Sequence, residues 1–231
     1  MDDIFNVNVN VLDVDNDLIG EIENKIINKL SLNENEINYL LSYVCFKVRE
    51  ILSLARNIDV CDNDFANQCD KAQSMICYYF EKLVVFNIPV NIHEVLPGVT
   101  GHSFNVVCID GGYYLLDPTY NQFFDLKKCN DELVKNKIPG YHVSNYSTDE
   151  KMIIIDFLKN GFMKIDSNNI KLYGDSFSKT KSNLLEGGYS GSSYFKWFLM
   201  NEADLSLTEE DLKEKGLLIE PVNFKKNVKK V

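Results

Sequence analysis

The sequence is poor in histidine, proline and tryptophan: its 231 residues include three histidines, five prolines and one tryptophan. It also lacks an excess of positive charge, because 24 lysines and arginines stand against 34 acidic residues, for a net charge of −10. General nucleic-acid binding depends on a basic surface, so this class of function is excluded. The one basic run, KKNVKK at 225–230, is typical of a short solvated tail.

Long apolar runs are missing as well. No segment approaches the roughly 20 apolar residues that span a bilayer, so no membrane-spanning helix is predicted. The first residues, MDDIFNVNVNVLDVDND, contain neither a positively charged region nor an apolar core of the kind found in secretory signals. We therefore expect a cytoplasmic protein, or one exported by a route that needs no signal peptide.

Cysteine pairs at metal-binding or redox spacing are also absent. The chain has no C-x-x-C pair, and neither His93 nor His142 has a partner at zinc-site spacing, so no metal and no cofactor are predicted. Without a secretory signal, the six cysteines are better interpreted as free thiols than as a disulfide framework. They are Cys45, Cys61, Cys69, Cys77, Cys108 and Cys129.

Hydrophobic periodicity and capping residues predict a mixture of helices and strands, and hence an α+β fold in one domain over 1–231. Asn33 and Glu36 form a capping box for a helix over 34–56, and Ser147 and Glu150 form one for a helix that ends near Gly161. The other expected elements are strands over 5–11 and 90–95, a weaker helix over 17–30, a helix over 69–86 that ends before Pro89, and a short helix over 208–216.

Cys69 stands where the apolar stripe of the 69–86 helix begins. Unpaired backbone N–H groups and the positive end of the helix dipole favour a thiolate at that position, which is how cysteine nucleophiles are activated. The alternative is plain packing, since Cys69 lies three residues before Ala72 on the same stripe. None of the other five cysteines has a comparable reason to ionise.

The stretch GHSFNVVCIDGGYYLLDPTYN, residues 101–121, predicts a β-hairpin with a histidine and an aspartate at its outer ends. If Asp110-Gly111 is a two-residue type I′ turn, Phe104 faces Asp117. His102 is then the diagonal neighbour of Asp117 on one face, at a Cα separation of about 7–8 Å that the side chains can close.

Two other turns would separate the pair. With Gly111-Gly112 as the turn, Asp117 faces Val106, and the offset along the strand grows to roughly 13 Å. A three-residue loop with a bulge would change the facing altogether.

The hairpin face that carries His102 and Asp117 is otherwise mostly apolar, so we expect it to pack on the stripe of the 69–86 helix. In that arrangement Cys69 meets His102, and Asp117 orients the imidazole from the other side. Each residue also has a simpler interpretation. His102 would be a strand-end histidine bonded to solvent, and Asp117 a turn residue before proline. The other members of this face are Phe104, Val106, Cys108, Tyr113 and Leu115.

Together, NQCDKA at 67–72, NIPV at 87–90 and the hairpin resemble the transglutaminase-like core of the papain-like cysteine enzymes. That family has a cysteine at a helix start, followed by H-x-W-N-x-x-x-x-D-G-x-W-x-x-x-D-P-T. The resemblance covers roughly 60–122, whereas 123–231 resembles nothing and is taken as an extension of the same domain. Phe104 and Tyr113 replace the family tryptophans, and Asp70 follows the cysteine where animal transglutaminases have tryptophan.

The resemblance implies a papain-like fold, with a catalytic helix packed on an antiparallel sheet, and a triad of Cys69, His102 and Asp117. Gln68 and Gly101 would be oxyanion or substrate-binding residues. The implied activity is thiol-dependent acyl transfer on a protein or peptide substrate, and the departures favour a protease or deamidase. A cross-linking transglutaminase and a non-catalytic binding module are the alternatives; the oligomeric state is left open.

Overall fold

The computed structural model describes residues 7–60, 65, 67–92, 102–124, 147–166, 169–170, 172–173 and 204–222. Its helices are α1 (Asn16–Ile27), α2 (Glu34–Arg56), α3 (Cys69–Lys82), α4 (Thr148–Asn160) and α5 (Glu209–Glu214), with a 3₁₀ turn at Tyr120–Phe124. Its strands are β1 (Asn87–Ile92), β2 (His102–Ile109), β3 (Gly112–Leu116) and β4 (Phe162–Lys164). The expected α+β class is confirmed. No helix in these ranges is long and apolar enough to cross a membrane.

Local capping explains where most helices begin and end. Both expected capping boxes are present, at Asn33–Glu36 before α2 and at Ser147–Glu150 before α4. Each satisfies backbone groups that a helix end leaves unpaired. Gly161 closes α4 in the left-handed conformation, at φ 79°, which glycine adopts without steric cost.

Two expected boundaries are wrong. Helix α3 ends at Lys82 rather than just before Pro89, because the chain turns at Val84, which has φ 57°, and the N–H of Val85 bonds back to Phe80. Strand β1 therefore begins at Asn87 and includes Pro89. Since β1 is an edge strand of the sheet, the missing N–H of proline is tolerated there.

The expected strand over 5–11 is not formed in its described part, 7–11, where the backbone has no regular pairing. Val7 and Val9 are nevertheless buried, while Asn8 and Asn10 are exposed. The alternation of valine and asparagine thus correctly predicted Val7 and Val9 as inward-facing, but Val11 is 63% exposed. The backbone N–H of Asn10 bonds to Lys159 at the end of α4 instead of to a strand.

The sheet is antiparallel throughout, in the order β1-β2-β3-β4. Ile109 pairs with Gly112, so Asp110 and Gly111 form a two-residue turn with positive φ at both positions, 47° and 75°. This is the type I′ geometry, and the first of the three expected turns is confirmed. The side chain of Asp110 also accepts a hydrogen bond from the N–H of Leu32, which ties the turn to the segment before α2.

The two faces of the hairpin contribute to different cores. Val107, Ile109, Tyr114 and Leu116 join the helix-side core, built around the buried faces of α1, α2 and α3. Phe104, Val106 and Leu115 join the α4-side core, which contains Ile154, Phe157, Met163 and Tyr173. The expectation that the His102 face packs on α3 is therefore wrong. Both faces are apolar, so the pattern could not decide which one α3 covers.

The side chain of a buried glutamine, Gln73, holds α3 on the hairpin face opposite to the one that carries His102. Gln73 donates from Nε2 to the carbonyls of Val90 and Phe104, each at 2.8 Å. Asn105, on the α3-facing side of β2, donates to the carbonyl of Gln73 and to Sγ of Cys77. These bonds fix the start of α3 beside the first residues of β2.

Candidate active site

Cys69 is the first residue of α3, as the sequence predicts, and its side chain is half-buried. The side chain of the N-cap residue, Gln68, does not cap the backbone of the first turn; its Oε1 accepts from Nζ of Lys71 at 2.9 Å. No described residue accepts from the backbone N–H of Cys69. Among the described residues, the helix start thus has an N–H group that can stabilise negative charge near the sulfur.

His102 and Asp117 lie in contact beside Cys69. Nε2 of His102 is 2.5 Å from Oδ2 of Asp117, and only 2% of His102 and 1% of Asp117 are exposed. The register set by the Asp110-Gly111 turn produces this diagonal contact. The backbone N–H of Asp117 bonds to the carbonyl of Gly161 at 2.8 Å, which holds the aspartate at the point where it leaves β3.

The imidazole bridges the carboxylate and the thiol. Burial acts to lower the pKa of His102, but the charge of Asp117 and the hydrogen bonds to Asp117 and Cys69 raise it to about 10. Because Asp117 occupies Nε2, the contact with Cys69 is left to Nδ1. Both ring nitrogens donate in an imidazolium, so each donates to an acidic group.

The thiol of Cys69 is correspondingly acidified. Burial acts to raise its pKa, and a hydrogen bond with His102, the charge of His102 and a bond from the backbone N–H of Ser103 together bring the pKa below its ordinary value. A thiolate next to an imidazolium combines a nucleophile with a proton donor. Since Cys69 is the partly exposed member of the three, an incoming group can reach the sulfur.

The N–H of Ser103 is available because β3 is shorter than β2. The hairpin register would place Pro118 opposite Ser103, but the pairing ends at Asn105–Leu116. The carbonyl of Pro118 instead accepts from Nε of Arg49 at 2.8 Å. The Ser103 amide, which the ladder alternation directs toward that side, therefore bonds to the sulfur.

Asp117 is held by more donors than the sequence predicted. Its Oδ1 accepts from the N–H of Thr119 at 3.2 Å and from Oγ1 of Thr119 at 2.9 Å. Its Oδ2 accepts from the hydroxyl of Tyr173 at 2.9 Å as well as from His102. The Asp-Pro-Thr sequence was a signal for Thr119. No local signal pointed to Tyr173, which lies 56 positions away.

Arg49, inside α2, is a second contributor that sequence reasoning missed. Its side chain is 1% exposed, and it donates to the carbonyls of Pro118, Leu158 and Lys159 and to Oδ1 of Asn121, at 2.8–3.1 Å. Burial lowers the pKa of Arg49 to about 10, so it remains charged at neutral pH. It joins the segment after Asp117 to the end of α4.

The other residues singled out in the sequence lie outside the described ranges or away from the triad. Gly101, His93 and His142 lie outside the described residues, as do Cys61 and Cys129. Cys77 is buried, and its sulfur bonds to Asn87 at 2.8 Å. Within the described ranges, no group of three or more His, Cys, Asp or Glu side chains could hold a metal ion.

Three comparisons with known proteins found no relative of this chain. No protein-family model matches the chain. Neither a curated protein nor a solved structure shows significant similarity to it.

Proposed function

We propose that this protein is a thiol-dependent acyl-transfer enzyme in which Cys69 is the nucleophile, His102 the general acid and base, and Asp117 the residue that orients the imidazole. The observation that carries the proposal is the single imidazole bonded on one side to a buried carboxylate and on the other to a thiol at a helix start. Nucleophile, base and orienting group in this order form the triad arrangement that recurs on unrelated folds.

In the proposed reaction, Sγ of Cys69 attacks the carbonyl carbon of an amide and the carbon–nitrogen bond breaks. His102 transfers its proton to the leaving nitrogen, which leaves a thioester and a neutral imidazole. The imidazole then takes a proton from water, the resulting hydroxide attacks the thioester, and the carbon–sulfur bond breaks to restore the thiolate and the imidazolium. The N–H of Cys69 would stabilise the oxyanion, as Gln68 and Gly101 were also expected to do.

The substrate class that we propose is a protein or peptide, and hydrolysis by a protease or deamidase is favoured over cross-linking. The preference for hydrolysis rests on the departures from the family pattern, above all Asp70, which follows the cysteine where animal transglutaminases have tryptophan. The fold proposal is a papain-like, transglutaminase-like core. An antiparallel sheet covered by a helix whose first residue is Cys69 supports it.

The proposed location is the cytoplasm, or the destination of an export route that uses no signal peptide. All four described cysteines, namely Cys45, Cys69, Cys77 and Cys108, are free thiols. Free thiols are typical of a reducing compartment.

Selective alkylation tests the proposal. Iodoacetamide at pH 6 should label Cys69 in the native protein well before Cys108, which is also half-buried and serves as an internal control. His102→Ala should remove this preference, because the thiolate loses its cationic partner. Peptide mass spectrometry gives both labelling rates. Equal rates at the two cysteines in the wild type would indicate a non-catalytic binding module.

A second experiment separates hydrolysis from transfer. The protein is incubated with candidate protein substrates and a labelled primary amine, with Cys69→Ala as the inactive control. We expect cleavage or release of ammonia without amine incorporation. Incorporation of the amine into a substrate protein would replace the hydrolase assignment with a transglutaminase.

A further inference from the structure

We infer that Tyr173 is a positioning residue of the candidate site, and that its hydroxyl holds the carboxylate of Asp117 in contact with His102. This inference rests on the proposed function and extends it into the part of the chain that resembles no known family. Tyr173 donates to Oδ2 of Asp117 at 2.9 Å, the same oxygen that His102 contacts at 2.5 Å.

The position of the Tyr173 hydroxyl is set by aromatic packing. Its ring lies 5.3 Å from Phe104, 5.4 Å from Tyr120 and 5.5 Å from Phe157, between centroids. Tyr173 is 1% exposed, and close packing leaves such a ring little freedom to turn its hydroxyl elsewhere. Because burial and the nearby Asp117 raise the pKa of Tyr173 well above its ordinary value, it stays a hydrogen-bond donor.

Tyr173 and His102 share the oxygen Oδ2 of Asp117. Without the Tyr173 hydroxyl, this oxygen loses a donor that fixes it beside the imidazole, and its contact with His102 weakens. Because the charge of Asp117 raises the pKa of His102, a weaker contact lowers that pKa, and the imidazole holds its charge over a narrower pH range. That charge lowers the pKa of Cys69.

The ionisable groups that act on this arrangement come from several elements. Besides the triad itself, α2 contributes the cation of Arg49 and the thiol of Cys45, both of which interact electrostatically with Asp117. Tyr120 interacts with Tyr173. The ionisable groups that act on Asp117 among the described residues are therefore His102, Cys69, Tyr173, Arg49 and Cys45, and Tyr120 acts through Tyr173. Arg49, whose pKa is about 10, stays largely charged over the range tested below.

The chain offers a matched control in Tyr79. This residue is also fully buried, and its hydroxyl also donates to a carboxylate, Oε1 of Glu23, at 2.9 Å. Tyr79 belongs to the helix-side core and makes no described contact with the triad. Tyr79→Phe therefore removes the same kind of bond at a similar structural cost, without touching Asp117.

The test is the rate of Cys69 alkylation by iodoacetamide from pH 5 to pH 9 in wild type, Tyr173→Phe and Tyr79→Phe, with the folded fraction measured at each pH. We expect Tyr173→Phe to move the acid limb of the profile upward by about one pH unit and to slow alkylation at pH 6 about tenfold. The Tyr79→Phe profile should coincide with the wild type. Coincident profiles for the two variants would overturn the role of Tyr173.

Thr119→Val is a second variant in case Tyr173→Phe does not fold. It removes the Oγ1 donor to Oδ1 of the same carboxylate and should shift the limb in the same direction. An unshifted limb in that case overturns the inference. Failure of the proposed function looks different, because wild-type Cys69 would then show no preference over Cys108 at pH 6.

Discussion

The surroundings of Cys45 and Cys69 differ in the direction of their hydrogen bonds, and this difference separates an inert thiol from an acidic one. The negative charge of Asp117 interacts with both sulfurs. Each sulfur also has a cationic neighbour, which is Arg49 for Cys45 and His102 for Cys69. Burial raises the pKa of Cys45 to about 12, whereas the pKa of Cys69 lies below its ordinary value. A nearby cation is therefore not sufficient.

What the two thiols do as hydrogen-bonding groups explains the contrast. Cys45 lies inside α2, where the backbone N–H groups are used by the helix, and its sulfur donates to the carbonyl of Gly161 at 3.3 Å. That bond stabilises the protonated form. Cys69 is at a helix start and accepts from His102 and from the N–H of Ser103, which stabilises the thiolate.

Replacing Asp117 with asparagine should reduce the difference in acidity between the thiols of Cys45 and Cys69 more than any other change. The neutral amide lacks the negative charge that raises the pKa of His102, so we expect burial to dominate and to leave His102 neutral at pH 6. We expect alkylation of Cys69 at pH 6 to fall roughly hundredfold, corresponding to a rise of about two in the thiol pKa. Asp70→Asn is the matched control, since Asp70 is adjacent to Cys69 but bonds to Ser206. A hundredfold loss in that control as well would remove Asp117 from its assigned role.

The pH dependence of stability should sharpen the comparison. Between pH 7 and 9 the charge of His102 differs between the folded and unfolded states, whereas Arg49, with a folded-state pKa of about 10, is charged in both. The folded-state pKa of His102, about 10, is above the unfolded value near 6.5, so its stabilisation is complete below pH 6.5 and is lost as the pH rises through 10. A Cys69→Ala background removes the thiol titration together with the part of the rise in the His102 pKa that Cys69 contributes. Because Asp117 still raises that pKa, the free energy of unfolding should fall as the pH rises above 7, by up to roughly 1 kcal/mol per pH unit. Urea unfolding with His102 intact and with His102→Gln measures this. Parallel pH profiles for the two proteins would contradict it.

Cys45→Ala should have the smallest effect. Loss of the weak bond to Gly161 and of one buried sulfur should lower the free energy of unfolding by about 1 kcal/mol. The alkylation profile of Cys69 should stay within twofold of the wild type, which mass spectrometry of the labelled peptides can check. A large change at Cys69 would mean that the two thiols are coupled through Asp117.

Local signals in the sequence were enough to predict the helix caps and to reduce the hairpin to three possible turns, of which the Asp-Gly turn is formed. A capping box such as Asn33–Glu36 depends on residues three apart, and an Asp-Gly turn depends on two adjacent residues. The contact between His102 and Asp117 followed because the register of a hairpin is set by its turn. For this reason, two members of the candidate site could be placed together without any knowledge of the rest of the fold.

Features that depend on distant partners could not be predicted. The prediction of which hairpin face packs on α3 was wrong. Strand β2 is buried almost continuously, and an apolar pattern on both faces does not indicate which face a helix will cover. Tyr173 and Arg49 come from elements 56 and 69 positions from their partners Asp117 and Pro118. Their roles depend on how α2 and the residues after α4 pack, which no short pattern records.

The contacts of Gly161 bear on where the chain could be cut without disturbing Asp117. A Cβ at this position would lie 3.1 Å from Cys45 Cβ and from Pro118 Cα, and the glycine carbonyl holds the N–H of Asp117. A fragment ending at residue 124 would contain Cys69, His102 and Asp117, yet lack the carbonyl of Gly161 and the hydroxyl of Tyr173 that fix the aspartate. We therefore expect that residues 60–122 alone would not keep the geometry of the candidate site.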